Sequence, residues 1–288
     1  MESSLILQLS DIHLKGDQKG MFDVQGNLDA VLADAGRQYS HYNLIVLTGD
    51  LVDDATVDDY TNLLEGLQRA FGADLPEEYQ PAILVTPGNH DNRAALEEAF
   101  TAFRKKFLYL YNKNAFFEFR FDGSFNVPGQ AIAFAKGKGS DTRLCLLDTA
   151  HKDYPVEGLF RLLAMPDVGE HPMTVFTHMP LVRPFHRFMN QEQFTLPVNL
   201  EFVRVLMKSA KVTTVCCGHY HHANTKICYR TGLIQYTAPG IQMQIDPYTK
   251  DFNASGKYPG YNIIHAHTTG ALVETRLQTR KEDPKDEA

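Results

Sequence analysis

The feature that most constrains the fold is a repeating cadence. A short apolar run ends abruptly in a polar loop, and a stretch with helical spacing follows. Residues 5–9 run straight into Ser10-Asp11-Ile12-His13, and residues 28–39 then carry Leu28, Val31, Leu32 and Ala35 on one helical face. Residues 44–47 stop at Thr48-Gly49-Asp50, and 60–71 follow with Leu63, Leu64 and Leu67 inward. Residues 82–85 end in Pro87-Gly88-Asn89-His90-Asp91, ahead of a helical stretch at 93–107. Such alternation predicts βαβ units with parallel strands. The second half is richer in strands, expected at 116–121, 131–134, 144–147, Met173–Phe176 and 212–216. Runs at 227–229, 233–236, 263–266 and 272–277 read as a closing antiparallel meander. No internal repeat or long low-complexity linker interrupts the chain. The expectation is one domain over residues 1–280, with a charged tail at 281–288.

The polar residues at the strand ends carry the chemistry. Asp11 and His13 follow the first strand, Asp50 the second, and Asn89 and His90 the third. His178 follows the strand at Met173–Phe176, and His219 and His221 follow the one at 212–216. In an open α/β sheet, loops at the carboxyl ends of strands line one crevice, so five loops deliver polar groups to a common place. Residues two apart in an extended segment point the same way, so Asp11/His13 and His219/His221 each form a pair that can grip one ion. Imidazole and carboxylate suit manganese, iron, zinc or cobalt. No cysteine occupies these positions, which argues against a structural zinc site. A central carboxylate, Asp50, can bridge two metals ~3.5–4 Å apart, the spacing that holds both the attacking and the leaving oxygen of a displacement at phosphorus. Asn89 adds an amide oxygen without adding charge, which suits a site that must also accept an anion. Gly88 serves the tight turn that places Asn89 and His90.

The segments Asp11-Ile12-His13, Gly49-Asp50, Gly88-Asn89-His90-Asp91, Thr177-His178 and Gly218-His219-Tyr220-His221 resemble, in order, the five signature blocks of the calcineurin-like metallophosphoesterase superfamily. The resemblance implies an α+β fold, a four-layer αββα sandwich of two mixed β-sheets flanked by helices. It implies two divalent or trivalent metal ions, one on Asp11, His13, Asp50 and His221, the other on Asp50, Asn89, His178 and His219. A hydroxide between the metals would attack phosphorus. His90 would be the acid that protonates the leaving group, and Asp91 would orient His90. Within the superfamily the chain looks most like class III cyclic-nucleotide phosphodiesterases and glycerophosphodiesterases. The start at Leu9–His13, the spacing to Gly49-Asp50 and the stretches Ala238-Pro239-Gly240, Gln244-Ile245-Asp246-Pro247 and Gly260-Tyr261-Asn262 carry that likeness. Where that group often has His-His-Pro-Pro, this chain has Thr177-His178-Met179-Pro180, so the ligand matches and the pocket wall differs.

The expected activity is hydrolysis of 3′,5′-cyclic nucleotides or other small phosphodiesters. The alternatives are a phosphomonoesterase or nucleotide pyrophosphatase with the same metal centre, and a non-catalytic scaffold. The complete ligand set weighs against the scaffold. Dimerisation is an expectation from the resemblance alone.

Other residues receive plainer readings. In the loop Arg183-Pro184-Phe185-His186-Arg187, His186 and the two arginines are substrate-binding candidates that could meet a phosphate. Asp53, Asp54, Asp58 and Asp59 read as a helix start and solvated face. His222 is peripheral, and His265 and His267 are structural. Cys145, Cys216, Cys217 and Cys228 form no paired framework and read as buried free thiols. A net charge of −7 argues against nucleic-acid polymers and anionic membranes as partners. No signal peptide or apolar span of ~20 residues is evident, so a cytoplasmic protein is expected.

Overall fold

In the computed structural model, residues 4–15, 21–53, 56–138, 141–151, 153–165, 168–267 and 269–279 are described. The expected charged tail at 281–288 lies outside them.

The first half follows the cadence. Strand β1 (Ser4–Leu9) leads to helix α1 (Val24–Gln38), β2 (Leu44–Thr48) to α2 (Val57–Gly72), and β3 (Ala82–Thr86) to α3 (Arg93–Lys106). Each helix starts on a side-chain cap. Asp23 accepts from Gly26 N, Asn92 accepts from Ala95 N, and Thr56 and Asp59 form a reciprocal capping box. The Asp23 cap places the start of α1 four residues before the apolar spacing alone suggested.

A short helix α4 (Leu108–Lys113) precedes β4 (Phe117–Phe121), β5 (Ala131–Gly137) and β6 (Arg143–Leu147). Helix α5 (Val156–Leu163), β7 (Met173–Phe176), α6 (Leu200–Ala210) and β8 (Val212–Cys217) follow. The closing strands are β9 (Asn224–Ile227), β10 (Ile234–Thr237), β11 (Gln244–Ile245), β12 (Ala254–Ser255), β13 (Gly260–His267) and β14 (Gly270–Leu277).

One sheet has the order β14-β13-β1-β2-β3, the other β4-β5-β6-β7-β8-β10-β9, and β11 pairs with β12 apart from both. The expected closing meander does not form. β13 and β14 close the first sheet antiparallel to β1, whereas β10 lies parallel to β8 in the second and β9 pairs antiparallel outside it. Both sheets are therefore mixed.

Strand alternation builds the layers. In β2, Leu44 and Val46 join the core between the sheets, while Ile45 and Leu47 pack with α1, α2 and α3. In β3, Ala82 and Leu84 face inward, and Ile83 and Val85 face the helices. In β6, Leu144 and Leu146 meet the first sheet, and Cys145 and Leu147 join Leu159 and Leu162 of α5 and Phe202, Val203 and Leu206 of α6. This period-2 division explains why the strands read as continuous apolar runs: both faces are covered. The result is the expected order of helices, sheet, sheet, helices. All four cysteines are free and buried. Among the described residues no helix is long and apolar enough to cross a membrane.

Candidate metal centre

The carboxyl ends of β1, β2 and β3 in one sheet and of β7 and β8 in the other open onto the same edge of the sandwich. Past the strands, the loops continue to pair. Asp11 N donates to Gly49 O at 3.1 Å, His13 N to Asp50 O at 2.9 Å, and Gly218 N to His178 O at 3.0 Å. The backbone there is tightly folded. Among the described residues, six non-glycine positions have positive φ, and five of them are Asp11, His13, Asp50, His219 and His221. This conformation costs of order 1–3 kcal/mol per non-glycine residue and persists where the surroundings enforce it, typically at functional sites. Gly88 and Gly218 allow the close approach: a Cβ on Gly88 would collide with the Asp50 backbone and carboxylate, and one on Gly218 with the Ser10 hydroxyl.

The side chains converge in two buried groups, Asp11–His13–His221 and Asp50–His178–His219, with donor atoms in each within 4.8 Å of one another. Asp50 sits between the groups, its Oδ2 3.3 Å from His178 Nε2 and 3.6 Å from His13 Nε2. Asp11 Oδ1 is 3.5 Å from His221 Nε2. Asn89 joins the second group through Oδ1, 3.0 Å from His178 Nε2.

Three imidazoles share one pattern. His178 Nδ1 lies 2.8 Å from Thr48 O, His219 Nε2 lies 2.8 Å from Phe194 O, and His13 Nδ1 lies 2.8 Å from an Asp53 carboxylate oxygen. Each acceptor takes the proton of that nitrogen and so fixes the ring, and in the neutral tautomer this leaves the lone pair on the other nitrogen. Metal-ligating histidines are held in this way. Two buried ring nitrogens, His13 Nε2 and His221 Nδ1, have no hydrogen-bond partner. The donor set therefore fits a pair of transition-metal ions.

The charges of the metal-free site point the same way. Burial alone would raise the Asp50 carboxyl, but His178 and His13 beside it hold it well below the usual carboxylate range. Burial alone would lower the His178 imidazole, and the adjacent Asp50 overrides this and raises it. Burial and the neighbouring His178 push His219 down to about 3, and burial and His13 push His221 well down. A buried carboxylate thus draws positive charge while its surrounding imidazoles cannot all be protonated, a balance suited to metal cations.

Asp53 was read from the sequence as part of a solvated face, and the structure places it instead against the centre. The segment after β2 pairs with the segment after β1, with Leu14 N on Leu51 O and Asp53 N on Leu14 O, both 3.0 Å. This sets the Asp53 carboxylate between His13, at 2.8 Å, and His90 Nδ1, at 3.7 Å. Asp54 lies outside the described residues, while Asp58 and Asp59 do open α2.

His90 is exposed, and its ring centroid lies 5.0 Å from that of His13, at the mouth of the site. Asp91 does not approach the His90 ring. Its buried carboxylate accepts from Gly88 N at 2.8 Å, Leu51 N at 3.0 Å and the Tyr60 hydroxyl at 3.0 Å. It clasps the loop carrying Asn89 and His90 to the loop carrying Asp50. Arg93 anchors the same loop from the other side, gripping Asp148 through two nitrogens at 2.8 and 3.0 Å.

The substrate-loop expectation needs correction. His186 is fully buried, its Nδ1 accepts from Met189 N at 3.2 Å, and burial and the nearby His222 push it down to about 4. It is a neutral packing group beside Tyr220 rather than a phosphate-facing cation. Arg183 donates to Leu196 O and Arg187 to Tyr248 O, both at 3.3 Å, so these guanidiniums brace loops. The loop still matters, because its Phe194 carbonyl holds His219. His265 pairs with Glu274 at 3.0 Å, away from the centre.

The model of the calcineurin-like phosphoesterase family matches residues 4–223. The chain belongs to this family. A probable cyclic nucleotide phosphodiesterase of Fibrobacter succinogenes is 26% identical over 89% of this chain and 87% of its own length. The 3′,5′-cyclic adenosine monophosphate phosphodiesterase CpdA of Escherichia coli is 25% identical over 93% of this chain and 87% of its own. Among solved structures, a dimetal phosphatase from Danio rerio superposes with a TM-score of 0.52 at 12% identity, covering 96% of this chain and all of the other, a likeness of fold.

Proposed function

We propose that this family member is a dinuclear metal-dependent phosphodiesterase of the cytoplasm, acting on 3′,5′-cyclic nucleotides or other small phosphodiesters. The observation that supports the reading best is the set of rings His13, His178 and His219, each tied on one nitrogen to an oxygen acceptor outside the two groups. Asp11, His13, Asp50 and His221 would hold one ion, and Asp50, Asn89, His178 and His219 the other. When bound, two such ions polarise phosphoryl oxygens and make water a competent nucleophile near neutral pH. The chain's own contribution is geometric and protonic. Asp50 sets the spacing between the two groups, Asn89 adds a neutral oxygen, and the exposed His90 supplies a proton to the departing oxygen. The diester preference rests on the names of relatives matched over most of their length.

The test is turnover by manganese-loaded protein of 3′,5′-cyclic AMP, bis(p-nitrophenyl) phosphate and p-nitrophenyl phosphate. Both diesters are expected to exceed the monoester. Preference for the monoester would move the reading to a phosphatase on the same centre.

Asp53→Ala should weaken metal binding by roughly 10–100-fold, the usual cost of losing a group that orients a ligating histidine. Competition with a chelator measures it. Wild-type affinity in that variant would show that the 2.8 Å contact to His13 is incidental.

A further inference from the structure

Strand β14 ends the first sheet, and among the described residues nothing pairs with its outer side. It keeps continuous register with β13 over its eight residues, from His267↔Gly270 to Gly260↔Leu277. Folded proteins blunt such edges with short strands, bulges, proline, lysine or a covering element. The other sheet ends follow that practice. β9 has four residues, one of them Lys226, β4 has five with Glu118 and Arg120 exposed, and β3 is buried along its whole length. β14 has no bulge, proline or lysine, and Leu272 and Leu277 are exposed on it.

The ladder fixes which backbone groups point outward. Gln278 N donates to Pro259 O at 2.8 Å, so Gln278, Arg276, Glu274 and Leu272 turn their N–H and C=O groups to β13. Those of Leu277, Thr275, Val273 and Ala271 point away from the sheet. A second copy of β14 meets them about a two-fold axis, because an antiparallel strand pair is self-complementary.

The side chains choose the register. The charged residues of β14 are Glu274 and Arg276. An axis at Glu274 sets two carboxylates opposite each other, and an axis at Arg276 sets two guanidiniums. An axis at Val273 leaves both charges facing neutral residues. An axis at Thr275 sets Glu274 against the partner's Arg276, twice by symmetry, and on the other face Val273 against the partner's Leu277. The charge pairs are then of the closer, non-hydrogen-bonded kind, with Cα atoms ~4.5 Å apart. Opposite charges so placed stabilise a strand pair, and like charges oppose it. Within the chain Glu274 lies 3.0 Å from His265 and 3.2 Å from Arg276, yet the Glu274 and Arg276 side chains keep 35% and 40% exposure, so both reach across the axis.

We propose that β14 is a self-pairing edge, on which two copies of this chain join antiparallel about Thr275 and merge their five-stranded sheets into one. The metal groups lie beyond the carboxyl ends of strands, so lateral pairing leaves both crevices open. The proposal does not depend on the phosphodiesterase reading.

A single strand pair is a small interface, and a dissociation constant on the order of 10 µM is expected. Sedimentation of the full chain at concentrations on either side of that value measures it, with each variant's melting followed by circular dichroism. Glu274→Arg and Arg276→Glu each set like charges opposite and should each weaken self-association by roughly tenfold or more. Mixed together, these two variants should associate with near wild-type affinity, and the double swap in one chain should restore self-association. Leu277→Pro deletes an outward N–H and no hydrogen bond to β13, so it should keep the fold and lose the dimer. A wild type that stays monomeric, a dimer that the charge variants do not weaken, or a mixture of the two single variants that stays monomeric would overturn the proposal. Should a charge variant fail to fold, Leu277→Pro decides: weakened association sustains the edge, and unchanged association rejects it.

Discussion

Asp50→Ala is expected to abolish two-metal occupancy. Its carboxylate is the group that stands between the two clusters, 3.3 Å from His178 and 3.6 Å from His13. It also accepts a hydrogen bond from His90 N at 2.8 Å, so its loss loosens the loop carrying Asn89 as well. Truncation takes from His13, His178 and His219 the carboxylate they share. Losing an outer-shell partner already costs 10–100-fold in affinity or activity, and losing a shared inner ligand should cost more, on both ions at once. Elemental analysis after desalting measures this. Retention of two ions per chain would show that Asp50 does not join the two groups. The fold should survive, because Asp50 sits on the crevice edge of the sandwich and outside its three main apolar clusters.

His90→Ala is expected to leave metal content near wild type and to cut turnover by ~10²–10⁴-fold, the usual range for lost acid–base assistance. The two effects separate because His90 faces solvent and belongs to neither of the buried groups, its ring lying beside Asp53 and the His13 ring. Comparing a poor with an activated leaving group sharpens the test. A substrate whose departing oxygen needs no proton, such as bis(p-nitrophenyl) phosphate, should lose less rate than cyclic AMP. Equal losses on both substrates would assign His90 to binding rather than proton transfer, and near-normal turnover would remove it from the reaction.

The candidate ligands were legible because each lies immediately past an apolar run. A buried strand must end at the crevice, and whatever follows it is delivered there. The same logic explains what was not legible. The role of Asp53 depends on the pairing of two loops 40 residues apart in sequence, and no local pattern marks it. The misreading of the runs after residue 227 has a similar source. β10 and β13 have the same apolar appearance, yet one joins β8 in parallel and the other joins β1 antiparallel. Strand propensity is local, and strand partners are not. His186 reads from the sequence as a substrate-binding candidate because Arg183 and Arg187 flank it, but its burial is imposed by packing against Tyr220 and the stretch around Ile245.

What the sequence by itself determined is the alternation of strands and helices in the first half and the identity of the groups at strand ends, since periodicity and chain order are written locally. What only the tertiary structure decided is which oxygen holds each imidazole. The Thr48 carbonyl, the Phe194 carbonyl and the Asp53 carboxylate lie 130, 25 and 40 residues from their histidines. Those contacts choose the ring nitrogen that faces the centre. They exist because two sheets stack face to face and bring distant loops within hydrogen-bonding reach.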